Sequence, residues 1–213
     1  MSELPFLLQG AFVTASVSLA AIVLGVPLGL ALAIIRWQRI AVLSQVVAVY
    51  VSVIRATPAI TLALLIFFGS PSLGLVLGAA PAAVLTLLIN TSAFNCEIWR
   101  AALIDFPREQ LEAARAYGMT PWLMFRRVVF PQVWRTSLPA LMNEMTLLIK
   151  ASPALAAIGI VDLRRAASRI GAATYKPLPP FLAATVIYML LVMFFVSAQR
   201  FVERRVRKRF DPT

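Results

Sequence analysis

The sequence contains no histidine and one cysteine. These two shortages limit the catalytic, metal-binding and disulfide chemistry that the chain could carry out. Without histidine, the chain lacks the commonest metal ligand and the commonest general base. The single cysteine, Cys96, lies inside an apolar run and has no partner in the chain for a disulfide. The sequence also shows no paired carboxylates, no Ser-His-Asp arrangement and no metal-ligand cluster. We therefore expect no catalytic residue and no metal site.

A phosphate-binding glycine loop is missing as well. The pattern Gly-x-x-x-x-Gly-Lys-Ser/Thr, whose backbone amides would hold a nucleotide phosphate, occurs nowhere in the chain. If ATP drives this protein, another polypeptide must bind it. We therefore expect this chain to be neither an enzyme nor the holder of a cofactor.

Acidic residues are scarce, with 9 Asp and Glu against 20 Lys and Arg. Only 14% of the residues are charged while 61% are hydrophobic, and the mean hydropathy is +0.85. A soluble domain does not need so much apolar surface, so the composition predicts a polytopic membrane protein. The basic residues lie between and after the apolar runs, which is typical of a cytoplasmic membrane face. We therefore expect contact with lipid and no nucleic-acid partner.

The apolar runs predict an all-α integral membrane protein, a single domain over residues 1–213 with five transmembrane helices. About 20 apolar residues are needed to cross the hydrocarbon core as a helix. The uncharged run 56–96 is divided by a cluster of Gly, Pro and Ser over residues 69–81, so it holds two spans. The shorter run 40–54 is expected to lie at the interface or to enter the next span obliquely. The five predicted spans are 10–35, 56–70, 79–98, 136–160 and 181–201.

The distribution of Lys and Arg predicts which way the chain crosses the membrane. Most of the 20 basic residues follow the first span, lie in the polar stretch 100–135 or lie in the tail 203–213. The positive-inside rule then places the N-terminus outside and the C-terminus inside. No Lys or Arg precedes Arg36, and the first run is longer than a signal peptide allows, so we expect it to be retained. The tryptophans are expected to form an interfacial belt: Trp37, Trp99, Trp122 and Trp134.

The polar stretch 100–135 is the longest interruption of the apolar pattern. Residues 111–117 are good helix formers, and Gly118 can adopt the positive φ that ends a helix. Thr120 is a suitable N-cap, and Pro121 fits the first helical position after it. The sequence therefore predicts a helix, a glycine corner and a second helix, which together form a knob that a soluble partner could grip.

The same stretch carries a specific resemblance. The run EAARAYGMTPWLMFRRVVFP, residues 112–131, resembles the EAA loop of ABC-importer permeases. The longer run 100–139 is similar to the polar-amino-acid branch of these permeases, in which R-x-A, P-x-x-Q, EAA, F-R-x-V and L-P recur in this order. The resemblance implies a type I importer fold whose loop, about residues 100–135, forms a coupling helix that docks into an ATPase subunit. It assigns that coupling to Glu112, Ala113, Ala114, Gly118 and Met119.

Polar side chains at membrane depth occur in the fourth predicted span. At about 100° per residue, Asn143, Thr146 and Lys150 share one helix face and Glu144 lies beside it. Ionised groups cost several kcal/mol in hydrocarbon, so these side chains should face a cavity or a partner helix. They could hold the ammonium and carboxylate groups of an amino acid. Alternatively, Glu144 and Lys150 pair across a subunit interface, or Lys150 extends towards the interface.

Two further segments resemble the same family. LPALMNEMTLLIKASPAL, residues 138–155, is similar to the family's segment with L-P, N-E and L-I-K, although Ala151 replaces a common acidic residue. YVSVIRATP, residues 50–58, resembles Y-V-x-x-x-R-G-T-P. The resemblance assigns the substrate pathway to Asn143, Glu144 and Thr146. Lys150 is added as an ionisable group at the same membrane depth, and Thr57 as a residue that could open the following span towards the cavity. Arg55 itself is interpreted as an anchor at the membrane interface.

The chain is therefore identified as a permease subunit of an ATP-driven importer in the bacterial cytoplasmic (inner) membrane. The resemblance implies that it translocates a polar amino acid delivered by an external binding protein. It also implies two ATPase subunits and a second permease, identical or related. Two alternatives stay open. One is the same architecture importing methionine or another amino-acid-like solute. The other is an ATP-independent secondary transporter, disfavoured because five spans do not divide into two repeats.

Overall fold

The computed structural model describes residues 3–210, so the last part of the predicted cytoplasmic tail, residues 211–213, lies outside the described residues. Every regular element within residues 3–210 is helical, which confirms the all-α prediction. Two 3₁₀ segments, Ser70–Leu73 and Ser152–Ile158, and one π segment, Phe125–Val129, lie between helices. The α-helices are α1 Glu3–Trp37, α2 Ala41–Ala56, α3 Ala59–Gly69, α4 Ala79–Ile104, α5 Arg108–Ala116, α6 Pro121–Met124, α7 Phe130–Ala151, α8 Leu163–Thr174 and α9 Leu178–Phe210.

Three helices are long and apolar enough to cross a membrane alone: Glu3–Trp37, Ala79–Ile104 and Leu178–Arg205. Two bent pairs add one candidate span each if each pair is counted together. The α2–α3 pair is bent by 110°, and the pair formed by Pro121–Ile158 and α8 is bent by 51°. The described residues thus contain three to five candidate spans. The five spans predicted from the sequence correspond to the upper figure.

The bend between α2 and α3 follows from one proline. Pro58 disfavours helical backbone in the residue before it, and Thr57 accordingly has φ −91° and ψ 126°. The Thr57 hydroxyl donates to the carbonyl of Val53 at 2.8 Å, which satisfies one of the carbonyls at the end of α2. Because of this bend, α2 and α3 are two separate helices and not one straight span. The interfacial or oblique course of residues 40–54 stays a prediction.

The α1–α4 pair forms the most extensive helix contact, and glycines bring the two helices together. A Cβ atom at Gly25 would lie 2.0 Å from Thr91 Cγ2, and one at Gly29 would lie 2.8 Å from Asn95 Cβ. Such close approach lets the backbones pack directly, as in other small-residue interfaces of membrane helices. This pair therefore forms the rigid centre on which α2, α3 and α7 pack.

The helix that contains the fourth predicted span begins well before residue 136. Thr120 caps α6, its side-chain oxygen accepting from the amide of Leu123 at 3.4 Å, and Pro121 takes the first helical position. The path continues through the π segment, where the amide of Phe130 donates to the carbonyl of Phe125, and on into α7. The polar knob and the transmembrane helix are thus one continuous helical path.

The predicted outer segment 161–180 contains the expected short helix, but that helix is packed rather than free. Asp162 caps α8, its carboxylate accepting from the amide of Arg165 at 2.8 Å. Leu163, Ala166 and Ala167 are fully buried against the first turns of α1 and α9. This contact joins the beginning of α1 to the beginning of α9.

Candidate functional site

The glycine corner after α5 has the geometry that its sequence predicted. Gly118 has a φ of +72°, and its amide donates to the carbonyl of Arg115 at 2.9 Å. The amide of Met119 donates to the carbonyl of Ala114 at 3.1 Å. These two bonds form a Schellman motif, which satisfies the last carbonyls of α5 and turns the chain sharply. The corner is therefore fixed by backbone geometry and needs no side chain at residue 118.

The five residues assigned to coupling divide into two groups in the structure. Ala114 is 5% exposed and packs with Met119 into a hydrophobic cluster that includes Leu103 and Phe106 at the end of α4. Glu112, Ala113 and Gly118 are exposed on the opposite side. One face of the corner thus packs against the transmembrane helices, and the other is exposed and accessible to a partner.

Aromatic rings form a continuous chain from the open face of the corner into the protein. Trp122 is 69% exposed and stacks on Phe125, with ring centroids 6.3 Å apart. Phe125 contacts Phe130 at 6.0 Å, and Phe130 contacts Trp134 at 6.3 Å. Trp134 stacks on Trp99 at 5.7 Å, and Trp99 is 1% exposed. Trp99 is therefore a core residue of α4, and the prediction that all four tryptophans form an interfacial belt is wrong.

A further link joins α5 to α7. The side-chain amide of Gln132 donates to the side-chain oxygen of Gln110 at 2.7 Å. Gln110 lies on α5 two residues before Glu112, and Gln132 lies in the first turn of α7. A polar contact therefore joins α5 to α7 in addition to the hydrophobic cluster.

Among the described residues, α7 keeps one exposed face along its length, which borders a groove against α9 at its Lys150 end. Its exposed residues follow a helical spacing of three and four: Gln132, Thr136, Ala140, Asn143, Leu147 and Lys150. Polar groups on such a face of a membrane helix normally border a water-filled cavity or a partner subunit. Asn143 thus lies on the same exposed face as Gln132, Thr136 and Ala140, which line a cleft near the beginning of α7.

That cleft has a volume of about 680 Å³ and lies between α4 and α7, beside the end of α2. Its size is in the ordinary range of small-molecule sites. Its polar lining residues are Arg55, Glu97, Asp105, Gln132, Thr136 and Ser137. The Ser137 hydroxyl is buried without a hydrogen-bond partner among the described residues.

Glu144 lies one turn further along α7 than Ala140, which lines the cleft. It is 8% exposed. Arg55, two residues before Thr57, lines the cleft itself, whereas Glu144 and Thr57 are not among its lining residues. Sequence reasoning missed Arg55 as a site residue, because a charge next to an apolar run is also typical of an interfacial anchor.

The other two α7 candidates face α9. The Thr146 hydroxyl contacts the Gln199 side-chain oxygen at 3.2 Å and also the carbonyl of Met142 at 3.1 Å. Lys150 lines a mostly apolar groove of about 420 Å³ with Thr185 and Tyr188 of α9. The structure thus separates Thr146 and Lys150 from Glu144, although all three lie on one helix. Neither Glu144 nor Lys150 forms an ion pair within the described part of the chain.

Comparison with known proteins now identifies the family. Residues 25–208 match the family described as binding-protein-dependent transport system inner membrane component. The chain belongs to this family. It is 32% identical over 206 residues to the arginine transport system permease protein ArtQ of Bacillus subtilis, covering 96% of this chain and 94% of that protein. It is 34% identical to the nopaline transport system permease protein NocM of Agrobacterium fabrum, covering 92% and 86%.

Solved structures agree with the assignment. A crystal structure of an amino acid ABC transporter with histidines superposes with a TM-score of 0.85 at 35% identity, covering 94% of each chain. An inward-facing structure of the MetNI methionine ABC transporter superposes with a TM-score of 0.78 at 26% identity, covering 97% of this chain and 99% of that chain. These superpositions confirm the type I importer fold.

Membership of the family confirms the main prediction about function. The protein is a permease subunit of an ATP-driven importer and a component of the inner membrane. The hydrolysis of ATP belongs to a separate subunit, and a binding protein delivers the solute in this family. Among the described residues, no group of three or more His, Cys, Asp or Glu side chains could hold a metal ion.

Proposed function

We propose that this permease imports a polar amino acid. The observation that carries the proposal is the superposition on an amino acid ABC transporter over 94% of the chain at 35% identity. The relatives named for arginine, nopaline and cystine support it, because all three solutes carry an α-amino acid group. The polar stripe of α7 and the buried carboxylate of Glu144 supply suitable binding groups in the membrane.

The proposed assembly contains two copies of the ATPase subunit and a second permease, identical or related. Residues 1–213 form one transmembrane domain with the N-terminus outside and the C-terminus inside. Five spans and the positive-inside distribution of Lys and Arg support this orientation. The packed outer helix α8 then lies on the side from which an external binding protein delivers the solute.

The proposed coupling residues act in two ways. Glu112, Ala113 and Gly118 form the surface that an ATPase subunit grips, because they are exposed on one side of the corner. Ala114 and Met119 transmit its movement, because they pack onto the end of α4. Closure of two ATPase subunits on ATP would draw two such corners together and rock the attached helices.

The proposed substrate pathway follows α7. Asn143 and Glu144 contact the amino acid, because they follow Ala140 of the cleft lining by about one turn of α7, on its exposed and buried sides. Thr57 borders the pathway at the α2–α3 break, two residues after Arg55 of the cleft lining. Thr146 and Lys150 face α9. In this proposal they border the pathway but do not contact the amino acid together with Glu144.

The experiment is ATP-dependent uptake by the complete importer in proteoliposomes. The permease is reconstituted with its co-purified ATPase and binding protein, and uptake of labelled arginine, glutamine, cystine and methionine is measured with and without ATP inside. We expect uptake of at least one polar amino acid that requires ATP, and a loss of about tenfold or more in Glu144→Gln. The exposed acid Glu3 supplies the control variant, Glu3→Gln.

Two outcomes would contradict the proposal. Uptake that follows an ion gradient without ATP would support a secondary transporter instead. Selective uptake of methionine alone would favour the second candidate function, for which the superposition on the methionine transporter is the supporting observation.

A further inference from the structure

A second cavity lies where α1 ends beside the glycine corner. Its volume is about 610 Å³, and it is bounded by the end of α1, the last turn of α5 and the path from α6 into the π segment. Among the described residues, it shares no lining residue with the cleft between α4 and α7. The exposed coupling residues Glu112, Ala113 and Gly118 do not line it either. The cavity is therefore separate from the cleft and from the proposed coupling residues.

Aromatic rings supply most of the walls of this cavity. The Phe125 ring contacts two indoles, with its centroid 6.5 Å from that of Trp37 and 6.3 Å from that of Trp122. Ile34 and Val129 add aliphatic surface to the lining. Indole rings favour the boundary between hydrocarbon and headgroups. A molecule that fills the cavity must therefore present apolar surface to most of its lining.

Arg115 gives the cavity a charge of one sign. It is the one charged residue among the described residues that line the cavity, and Gln38 adds a side-chain amide. Arg115 is exposed in the last turn of α5 and forms no ion pair within residues 3–210. A guanidinium group matches the paired oxygens of a phosphate group. Because no Asp or Glu is found in the described lining to receive a cation, the cavity is complementary to an anion.

The position of the cavity favours a lipid over a soluble anion. The α1 helix is long and apolar enough to cross a membrane, and it ends at Trp37. Ile34 thus belongs to the apolar end of that span, whereas Arg115 belongs to the polar corner. Basic pockets beside transmembrane helices are typical sites for anionic headgroups. A soluble phosphate would leave the apolar lining in water, whereas the acyl chains of a lipid would cover it.

We infer that this cavity binds an anionic phospholipid. The phosphate pairs with Arg115, and the acyl chains lie against Ile34, Val129 and the aromatic walls. Arg39 and Arg126 are exposed, and each follows a lining residue in the sequence, so they add positive charge around the cavity. The bound lipid joins the first span to the corner that carries the docking surface. The inference goes beyond solute import and does not depend on which solute is transported.

The test measures lipid binding by the assembled complex of permease and ATPase. The complex is delipidated in detergent and titrated with phosphatidylglycerol, or with phosphatidylcholine of the same acyl chains, and native mass spectrometry counts the bound lipids. Wild type should bind phosphatidylglycerol at least about fivefold more tightly, which is the contribution of one basic residue near a membrane surface. Glycerol 3-phosphate, which has the phosphate without the chains, should not displace it.

Variants then assign the preference to this cavity. Arg115→Gln should bring the two lipids within about twofold of each other, and Arg115→Lys should keep most of the preference. The fold should survive, because Arg115 is exposed and the corner uses only its backbone carbonyl. Trp37→Leu should weaken binding of both lipids and leave their ratio unchanged. Arg108→Gln is the matched control, since Arg108 is exposed on the same helix and does not line the cavity.

A second measurement locates the lipid without any variant. Phosphatidylglycerol with a photoreactive group on one acyl chain is crosslinked to the wild-type complex, and the labelled peptides are identified by mass spectrometry. We expect label on the peptides that contain residues 34–38 and 121–129, which line the cavity.

Four outcomes would overturn the inference. They are equal binding of the two lipids by wild type, an unchanged preference in Arg115→Gln, label confined to other peptides, and displacement by glycerol 3-phosphate. The first would mean that the cavity in the assembled complex, covered by the ATPase or not, does not select an anionic lipid. The last would indicate a site for a soluble phosphate ester. None of them bears on ATP-dependent amino acid uptake, which tests the proposed function separately.

Discussion

Arg36 at the end of α1 and Glu97 in α4 form an ion pair that joins the two central helices, although 61 residues separate them in the chain. The other carboxylate oxygen of Glu97 accepts two bonds from Arg100, at 2.7 and 2.9 Å. The Arg36 and Glu97 side chains are only 17% and 21% exposed. One carboxylate thus balances two guanidinium groups at the end of the α1–α4 pair where α1 ends.

Replacing Glu97 should therefore destabilise the protein more than the loss of a surface ion pair would. Glu97→Gln leaves two partly buried guanidinium groups without a counter-charge, and we expect a cost of about 1–3 kcal/mol, between the values for exposed and buried pairs. Thermal unfolding of the purified complex measures this cost. The double variant Arg36→Gln/Glu97→Gln should cost less than the two single variants together. Strictly additive costs would show that the pair contributes no coupling.

The contact between Gly25 and Thr91 predicts a specific rescue. Gly25→Ala places a Cβ atom 2.0 Å from Thr91 Cγ2, while the next atoms are 3.4 Å away or more. We expect a loss of about 1–3 kcal/mol from overpacking, measured as a lower unfolding temperature. Thr91→Ser removes only the offending methyl and keeps the oxygen that accepts from Asn95, so Gly25→Ala/Thr91→Ser should recover most of the loss.

Gly29 provides the comparison for that rescue. A Cβ atom there would approach Asn95 Cβ at 2.8 Å and the backbone oxygen of Ser92 at 3.0 Å. Neither atom can be removed by shortening a neighbour by one methyl, so Gly29→Ala should stay destabilised in a Thr91→Ser background. Equal rescue at both positions would mean that Thr91 acts by loosening the whole helix pair.

The parts of the structure that the sequence predicts are those with local causes. The Gly118 corner and the Thr120 cap depend on residues within one or two turns, and each appears with the expected geometry. The Glu97–Arg100 pair is likewise local, with a spacing of three on one helix. The family resemblance extended these local features to the overall fold.

What the sequence could not predict depends on distant packing. The stacking of Trp99 on Trp134 joins α4 to α7, and composition alone cannot distinguish such a core tryptophan from one at the membrane interface. The place of Arg55 in the lining of the cleft depends on the bend at Pro58 and the packing of α2 on α4. The π segment Phe125–Val129 has no reliable sequence mark.

The positive φ of Gly118 allows a strain-matched test of coupling. Gly118 and Gly74 have φ values of +72° and +76°, and neither would place a Cβ atom within 4 Å of another group. Gly118→Val and Gly74→Val should each cost about 1–2 kcal/mol from left-handed backbone alone. Only Gly118→Val should reduce the ATPase that co-purifies with the permease, because Gly74 lies in the turn before α4. Gly118→Asn should lose less, since asparagine tolerates this conformation. Equal recovery of ATPase with both valine variants would show that the Gly118 corner has no specific part in ATPase binding.

Exposed aromatic side chains beside the corner predict where the ATPase gains its affinity. Tyr117 is 86% exposed and Trp122 is 69% exposed, on either side of Gly118. Tyrosine and tryptophan are the residues most enriched at energetically dominant contacts, where truncation costs about 2 kcal/mol or more. We expect Tyr117→Ala and Trp122→Ala each to weaken ATPase binding by about 30-fold or more, measured by titrating purified ATPase onto permease in nanodiscs.

The matched control is an equally exposed aromatic residue away from the corner. Tyr175 is 93% exposed at the end of α8, and its φ of 55° favours Tyr175→Asn as the replacement. This variant should bind ATPase as wild type does.

The aromatic chain can be tested separately from the docking surface. Trp122→Ala removes the exposed end of the chain, whereas Trp134→Ala interrupts the chain and leaves the docking surface unchanged. If Trp134→Ala keeps ATPase affinity but loses ATP-driven uptake, the chain of rings transmits the docking movement to α4. Retained uptake in Trp134→Ala would leave the rings with a packing role alone.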